Sequence, residues 1–284
     1  FKQKTAYEIY QCDWSSDVCS SDLDLFRAPV DGSGRLANLT EANKAWDAGP
    51  VFSPDGTKLA WRAMTRPGFE ADRFGVKVMD LKTGQVRDLA PQSVWDRSAD
   101  TLKWSKDGKT IYVVAQDVGQ ERVFAIDVKT GGAPKALTGQ GRVSEFDLTP
   151  TGMVYSQDSL TSPAQLYSMS FKASKKGAKG AGPAQLTSLN GDKLGDVRMG
   201  EAEQFSFPGW NGETVHGYVV KPWNYQPGQK YPVAFLIHGG PQGSFGNLFH
   251  YRWNAQTYAG HGYAVVMIDF HGSTGYGQIG RAHV

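Results

Sequence analysis

The residues with chemical content gather between Tyr231 and Gly277. An apolar run, Val233-Ala234-Phe235-Leu236-Ile237, ends in His238-Gly239-Gly240-Pro241. A second run, Tyr263-Ala264-Val265-Val266-Met267-Ile268, ends in Asp269-Phe270-His271-Gly272-Ser273-Thr274-Gly275-Tyr276-Gly277. Paired glycines present backbone N–H groups with no Cβ in the way. Gly240, and after it Gly239, can therefore approach a reacting carbonyl oxygen and stabilise the charge that forms on it. The competing reading is a tight strand-to-helix turn without a catalytic part, and for a lone His-Gly-Gly that reading would win. His238 is expected to fix the loop by hydrogen bonds rather than to titrate in catalysis.

The elements around these residues follow from their patterning. Short continuous apolar runs rich in β-branched residues, each ended by glycine, predict buried parallel strands. Asn247 to Gly260, aromatic and alanine-rich, predicts the crossover helix between them. Upstream, Glu203–Phe207 and Thr214–Val220 alternate around Trp210-Asn211-Gly212, which is a hairpin signature. The order strand, strand, strand with Gly-Gly, helix, strand matches the opening of an α/β-hydrolase domain. Such a domain takes one oxyanion N–H from the glycine-rich loop after its third strand.

Three stretches carry a closer likeness. His238-Gly239-Gly240-Pro241-Gln242-Gly243, Tyr251-Arg252-Trp253-Asn254 and Asp269-Phe270-His271-Gly272-Ser273-Thr274-Gly275 together resemble the serine peptidases of the prolyl oligopeptidase family. The wording looks most like the dipeptidyl-peptidase 5 branch, because the related acylaminoacyl-peptidases usually carry arginine where His271 stands. The resemblance runs essentially from Asp24 to Gln278 and is most specific from Gln204 onward. It implies a β-propeller followed by an α/β-hydrolase domain, peptide substrates cut to release N-terminal dipeptides, and no cofactor or metal. It also implies Gly240 at the oxyanion position. It favours an exported protein over a cytoplasmic one, although the chain itself leaves compartment and oligomeric state open. Arg252 and Tyr276 are candidates for the substrate cleft; a helix-surface salt bridge and a packed aromatic are their structural alternatives.

What such an enzyme needs next is missing from the pattern. The nucleophile of an α/β-hydrolase stands in Gly-x-Ser-x-Gly after the fifth strand, with acid and histidine later. Ser244 has Gln242 two residues before it, and Ser273 has His271. His216, His238, His250, His261 and His271 all precede the expected nucleophile. Asp269 ends a strand and reads as a structural cap. We therefore expect no Ser-Asp-His triad in this chain, and no peptide hydrolysis by it alone.

The region from Asp24 to Leu194 repeats itself. Phe52-Ser53-Pro54-Asp55-Gly56-Thr57-Lys58-Leu59-Ala60-Trp61 returns as Trp104-Ser105-Lys106-Asp107-Gly108-Lys109-Thr110-Ile111-Tyr112-Val113, and more loosely from Leu148 to Tyr155. A second unit, Val78 to Gly84, returns as Ala125 to Gly131. Asp-Gly supplies the positive φ of a tight hairpin, and repeats of roughly 40 to 50 residues with four strands each predict propeller blades. The expectation is a partial β-propeller of about three to four blades over residues 24–194, then the start of the hydrolase over 195–278. Asp55, Asp80, Asp107 and Asp127 occupy turns where Asp caps local backbone, and this outweighs a calcium reading. The Lys-, Gly- and Ala-rich run Lys172–Gly182 is read as a solvated hairpin loop rather than a nucleic-acid patch.

Composition sets outer limits. With 30 Lys plus Arg against 28 Asp plus Glu, the net charge of +2 implies no nucleic-acid partner. No apolar run reaches the roughly 18 residues needed to span a bilayer. The two ends are set apart. Ile279-Gly280-Arg281-Ala282-His283-Val284 is encodable by a DNA element whose reverse complement encodes Asp17-Val18-Cys19-Ser20-Ser21-Asp22. Phe1–Leu23 and Ile279–Val284 are therefore expected to be translated sequencing adapter and foreign to the fold. Cys12 and Cys19 would otherwise suggest a disulfide or metal pair. Two further function classes stay open: an acylaminoacyl-peptidase or other oligopeptidase, and a non-catalytic propeller that binds partners.

Overall fold

The computed structural model describes residues 7–12, 23–171, 182–240 and 242–277. Pro241, most of the lysine-rich run and most of the two expected adapter stretches lie outside them. The chain divides into two compact units: Phe1–Val113 with Ala125–Lys135, and Val114–Phe124 with Ala136–Val284.

In the first unit, β1 (Tyr7–Cys12), β2 (Asp24–Pro29) and β3 (Ala37–Asn38) form a three-stranded antiparallel sheet. β1 falls within the stretch set apart as foreign, and its backbone pairs with β2 from Tyr7↔Pro29 to Cys12↔Asp24. That pairing is not anticipated by the adapter reading. The strands β4 (Asp47–Phe52), β5 (Lys58–Ala63), β6 (Gly75–Asp80) and β7 (Val86–Asp88) make a four-stranded antiparallel meander. Its apolar face gathers Leu59, Trp61, Ala63 and Met79 around Leu25. The β4–β5 turn shows why Asp-Gly recurs. Gly56 sits at φ 68, and Asp55 accepts hydrogen bonds from Ser53 Oγ (2.6 Å) and the Thr57 N–H (3.0 Å). The Ser53 hydroxyl, then the Thr57 amide, pull the Asp55 carboxyl down to about 2. Asp107 repeats the arrangement with Ser105 and Lys109, while Asp80 and Asp127 cap Thr83 and Thr130.

The following strands are β8 (Ala99–Trp104), β9 (Thr110–Asp117), β10 (Gln120–Asp127), β11 (Lys135–Ala136), β12 (Arg142–Thr149), β13 (Gly152–Ser159), β14 (Ser162–Ser170) and β15 (Ala184–Gln185). Their order is β15-β14-β13-β12-β10-β9-β8, with β11 on β10. Two four-stranded meanders thus share one ladder through a single parallel pair, Glu121↔Arg142. The repeats read from the sequence coincide with these meanders. The sheets among the described residues are open, and helix is scarce.

After a short helix, α1 (Gly191–Leu194), the second unit builds its own sheet from β16 (Ala202–Pro208), β17 (Thr214–Val220), β18 (Val233–Leu236) and β19 (Ala264–Asp269), with α2 (Ala255–Gly260) before β19. The order is β16-β17-β19-β18. β16, β17 and β19 pair antiparallel, whereas β18 and β19 run parallel. Tyr218, Val220, Val265 and Met267 pack with Ala255 and Ala259 of α2 and with Leu160. Each fully buried Val or Met side chain contributes about 1.5–3 kcal/mol. The crossover helix is shorter than Asn247–Gly260. The Asn247 side chain accepts from the Leu160 N–H (3.0 Å), the Phe249 N–H donates to Asp158 (2.8 Å), and the N–H groups of Arg252 and Trp253 donate to His250 Nδ1. With these groups engaged elsewhere, helix begins only where Asn254 caps the Gln256 N–H (2.9 Å).

Candidate oxyanion loop

Because β18 and β19 run parallel, the loops that follow them leave from the same edge of the sheet. One is His238-Gly239-Gly240, the other Phe270 to Gly277. Asp269, the last residue of β19, is 5% exposed. It accepts from the Tyr276 hydroxyl (2.5 Å), Ser244 Oγ (2.6 Å) and the Phe245 N–H (2.9 Å). The Thr274 N–H donates to Gly243 O (2.8 Å), so the two loops are bound to one carboxylate and to each other. Tyr276 also stacks on His216, with ring centroids 5.1 Å apart. Burial, then the adjacent Asp269 charge, holds its hydroxyl far above the usual tyrosine range.

His238 lies flat against Phe270 at 4.4 Å, with Phe245 at its edge. Its Nδ1 is 2.9 Å from Gly239 O and its Nε2 is 2.8 Å from Ser273 Oγ. Asp269 Oδ1 stands 3.8 Å from the same Nε2. Serine, histidine and aspartate are together, but not as a nucleophilic triad. There the acid holds the ring nitrogen remote from the serine. Here Asp269 faces the serine-side nitrogen, and the remote one goes to a backbone carbonyl. Ser273 is only 1% exposed, so its hydroxyl is sealed from any substrate. The trio holds the loop together, as expected of His238.

The two glycines differ. Gly240 has φ +140, and a Cβ built on it would stand 2.4 Å from the Gln242 nitrogen. A Cβ on Gly239 would meet nothing within 4 Å. Gly239 and His238 line a cavity of about 480 Å³ with Phe235, Ile237, Ser244 and Trp253 among its walls. Neither Arg252 nor Tyr276 is in that lining. The exposed Arg252 guanidinium sits 5.1 Å over the Trp253 ring, and Tyr276 is turned to Asp269. Among the described residues no group of three or more His, Cys, Asp or Glu side chains is placed to hold a metal ion. No described helix is long and apolar enough to cross a membrane.

Sequence reasoning misses the support behind these loops. The tip of the β9–β10 hairpin reaches both of them. The Val118 N–H donates to Gly275 O (2.9 Å), and Gly119 O accepts from the Asn247 N–H (2.6 Å). Gln120 donates to the Tyr218 hydroxyl (2.6 Å), while its Oε1 accepts from the Gly141 N–H (2.6 Å) and Asn247 Nδ2 (3.1 Å). Burial pushes the Tyr218 hydroxyl up to about 12. The available signal was slight: a Val-Gly-Gln between two strands, with no local pattern to name its partners.

Comparison with known proteins places this geometry. No protein-family model matches the chain. It is 36% identical over 234 residues to the probable dipeptidyl-peptidase 5 of Aspergillus clavatus, covering 81% of this chain and 31% of that protein. To the dipeptidyl-peptidase 5 of Trichophyton schoenleinii it is 32% identical over 278 residues, covering 89% of this chain and 36% of that protein. The chain thus spans about a third of the length of these relatives. The fold is that of the acylaminoacyl peptidase of Pyrococcus horikoshii, with a TM-score of 0.74 at 22% identity over 96% of this chain and 39% of that one. An acylaminoacyl peptidase in complex with Z-Gly-Gly-Phe-chloromethyl ketone matches with a TM-score of 0.75 at 22% identity, again over 96% of this chain and 39% of that one. In sequence the chain is similar to dipeptidyl-peptidase 5 proteins and in fold to acylaminoacyl peptidases, a likeness consistent with the prolyl oligopeptidase family.

Proposed function

We propose that the whole protein is a serine exopeptidase that releases dipeptides from free peptide N-termini, and that this chain supplies its oxyanion loop. The observation that carries the reading is the sheet order β16-β17-β19-β18 with Gly239-Gly240 at the carboxyl end of a parallel strand, in a relative of dipeptidyl-peptidase 5. In this reading the Gly240 N–H, with Gly239 beside it, binds the developing oxyanion. The meanders from β4 to β15 are propeller blades that restrict entry to the cleft, and the hydrolase part begins near residue 195. Arg252 and Tyr276 do not line the cavity themselves and would act on the cleft only through neighbours, Arg252 through Trp253 and Tyr276 through Asp269. Nucleophile, acid and base come from sequence beyond residue 278, so the chain alone is inactive: a donor stabilises a charge that only an attacking nucleophile creates.

The test extends the reading frame into the source DNA past codon 278. The expected result is a Gly-x-Ser-x-Gly within the next strand–helix unit, labelling of the extended protein by a fluorophosphonate, and turnover of chromogenic dipeptides with a free N-terminus. Replacing the elbow serine should abolish both, and the 284-residue chain should show neither. Preference for an N-acylated substrate would point to acylaminoacyl-peptidase activity instead. Absence of the serine motif, or labelling of the short chain, would overturn the proposal.

A further inference from the structure

Strands β9 and β10 are joined by Val118 and Gly119 alone, and both residues have positive φ, 50 and 72. A two-residue turn of that hand suits Asn-Gly or Gly-Gly. Valine does not suit it, because a β-branched side chain crowds its own backbone in the left-handed region. Such a residue stays there only where its surroundings over-determine it. Here the turn is tied by its backbone to segments far away in sequence. The Val118 N–H donates to Gly275 O (2.9 Å) in the loop after β19. Val118 O accepts from Gln204 Nε2 (2.9 Å) on β16. Gly119 O accepts from the Asn247 N–H (2.6 Å) in the loop after β18, and from the Tyr218 hydroxyl (3.4 Å) on β17. Glycine permits the close approach from both sides. A Cβ on Gly119 would stand 3.0 Å from the Tyr218 ring and 3.1 Å from Gln204 Nε2, and one on Gly275 would stand 3.0 Å from Gln116 Cβ. All of these residues lie in one compact unit.

We propose that Val118 and Gly119 are positioning residues for the reaction, and that the strain at Val118 makes their turn a releasable latch. Docked, the turn holds Asn247 and Gly275, one in each of the two loops that meet on Asp269. Asn247 follows Gly240 in the same loop, so this anchor limits where the oxyanion glycines can sit. Undocked, Val118 relaxes to negative φ and each loop loses a hydrogen bond. The strain therefore favours release, and the hydrogen bonds to the two loops and to β16 and β17 oppose it. The inference rests on the reading of Gly240 as the oxyanion donor.

Two substitutions at the turn act in opposite directions. Gly119→Ala sets a Cβ against Tyr218 and Gln204 and pushes the turn off its partners. Val118→Asn keeps every backbone group and accepts positive φ with less crowding. In the extended peptidase, G119A should lower kcat about 10²-fold, as a displacement of about 1 Å does, with KM within about twofold. An unchanged kcat, or a loss confined to KM, would overturn the proposal. Hydrogen exchange of the Val118 and Asn247 amides gives a readout independent of turnover. Both should exchange about tenfold faster in G119A and about fivefold more slowly in V118N, with the amides of β5 unchanged in either. A uniform rise across the protein in G119A would mean general destabilisation and would refute the positioning role. Faster exchange in V118N would mean that the valine side chain secures the turn, and would refute the latch. Should G119A fail to fold, the V118N exchange still decides. If the extended wild-type protein has no peptidase activity, the functional reading fails while exchange continues to test the docking.

Discussion

The clearest quantitative prediction comes from Asp47 at the start of β4. It is 1% exposed, yet its carboxylate is the acceptor for the buried Trp61 indole N–H (2.6 Å) and for Asn43 Nδ2 (3.0 Å). Burial raises its pKa from 3.8 to about 6, against the lowering effect of those two donors and with a smaller push from Asp24. A carboxyl whose folded value lies above its unfolded value stabilises the fold when protonated. That contribution is complete below about pH 4 and is lost as pH rises through about 6. A shift of about two units at about 1.4 kcal/mol each gives about 3 kcal/mol in total, of which roughly half remains at about pH 5. Asp47→Asn keeps an acceptor for Trp61 and removes the titration. Urea unfolding followed by tryptophan fluorescence should find the two proteins similar near pH 4. Near pH 8 the variant should be more stable by about 1–3 kcal/mol. Other titrating groups are common to both proteins and cancel in the difference. Parallel pH profiles would refute the reasoning, as would a variant less stable at high pH.

Two further substitutions test the loop and its support. Gly240→Ala places a Cβ 2.4 Å from the Gln242 nitrogen at a φ of +140, whereas Gly239→Ala meets nothing within 4 Å. In the extended peptidase the first should lower kcat by about 10²-fold or more, and the second should leave kcat within about threefold; similar losses in both would count against Gly240 as the donor. Gln120→Ala removes the acceptor of the buried Gly141 N–H and one of the two partners of the Tyr218 hydroxyl, which should cost about 1–3 kcal/mol. Thermal melting measures this, and an unchanged midpoint would mean the network is dispensable.

What could be read from the sequence was local. Asp55-Gly56 and Asp107-Gly108 announce their hairpins because a glycine at positive φ and a carboxylate capping the next amides need only neighbouring residues. The paired glycines and the strand before them are legible for the same reason, but the expected burial of that strand is not met, since Val233 and Phe235 are 61% and 50% exposed. The Asp269 clamp is not: its donors come from Ser244, Phe245 and Tyr276, and residue types alone do not say that two loops meet on one carboxylate. Gln120 reaches Tyr218 and Asn247 across 98 and 127 residues. The overlong crossover helix fails similarly, because distant Asp158 and Gly119 take the Phe249 and Asn247 N–H groups.

The strand order has a consequence for synthesis. β19 is the insertion strand, paired with β17 on one side and β18 on the other. The β16–β17 hairpin can close as soon as Val220 has emerged from the ribosome. Val233–Leu236 cannot join it until the last residues of β19, ending at Asp269, are available. In that interval an apolar segment waits without its ladder, and loop closure between distant segments must precede any reward. Nascent β18 is therefore the segment on which a chaperone would have the most to do. A slower stretch of translation just after residue 236 would prolong its exposure, and one just after Asp269 would give the sheet time to zip.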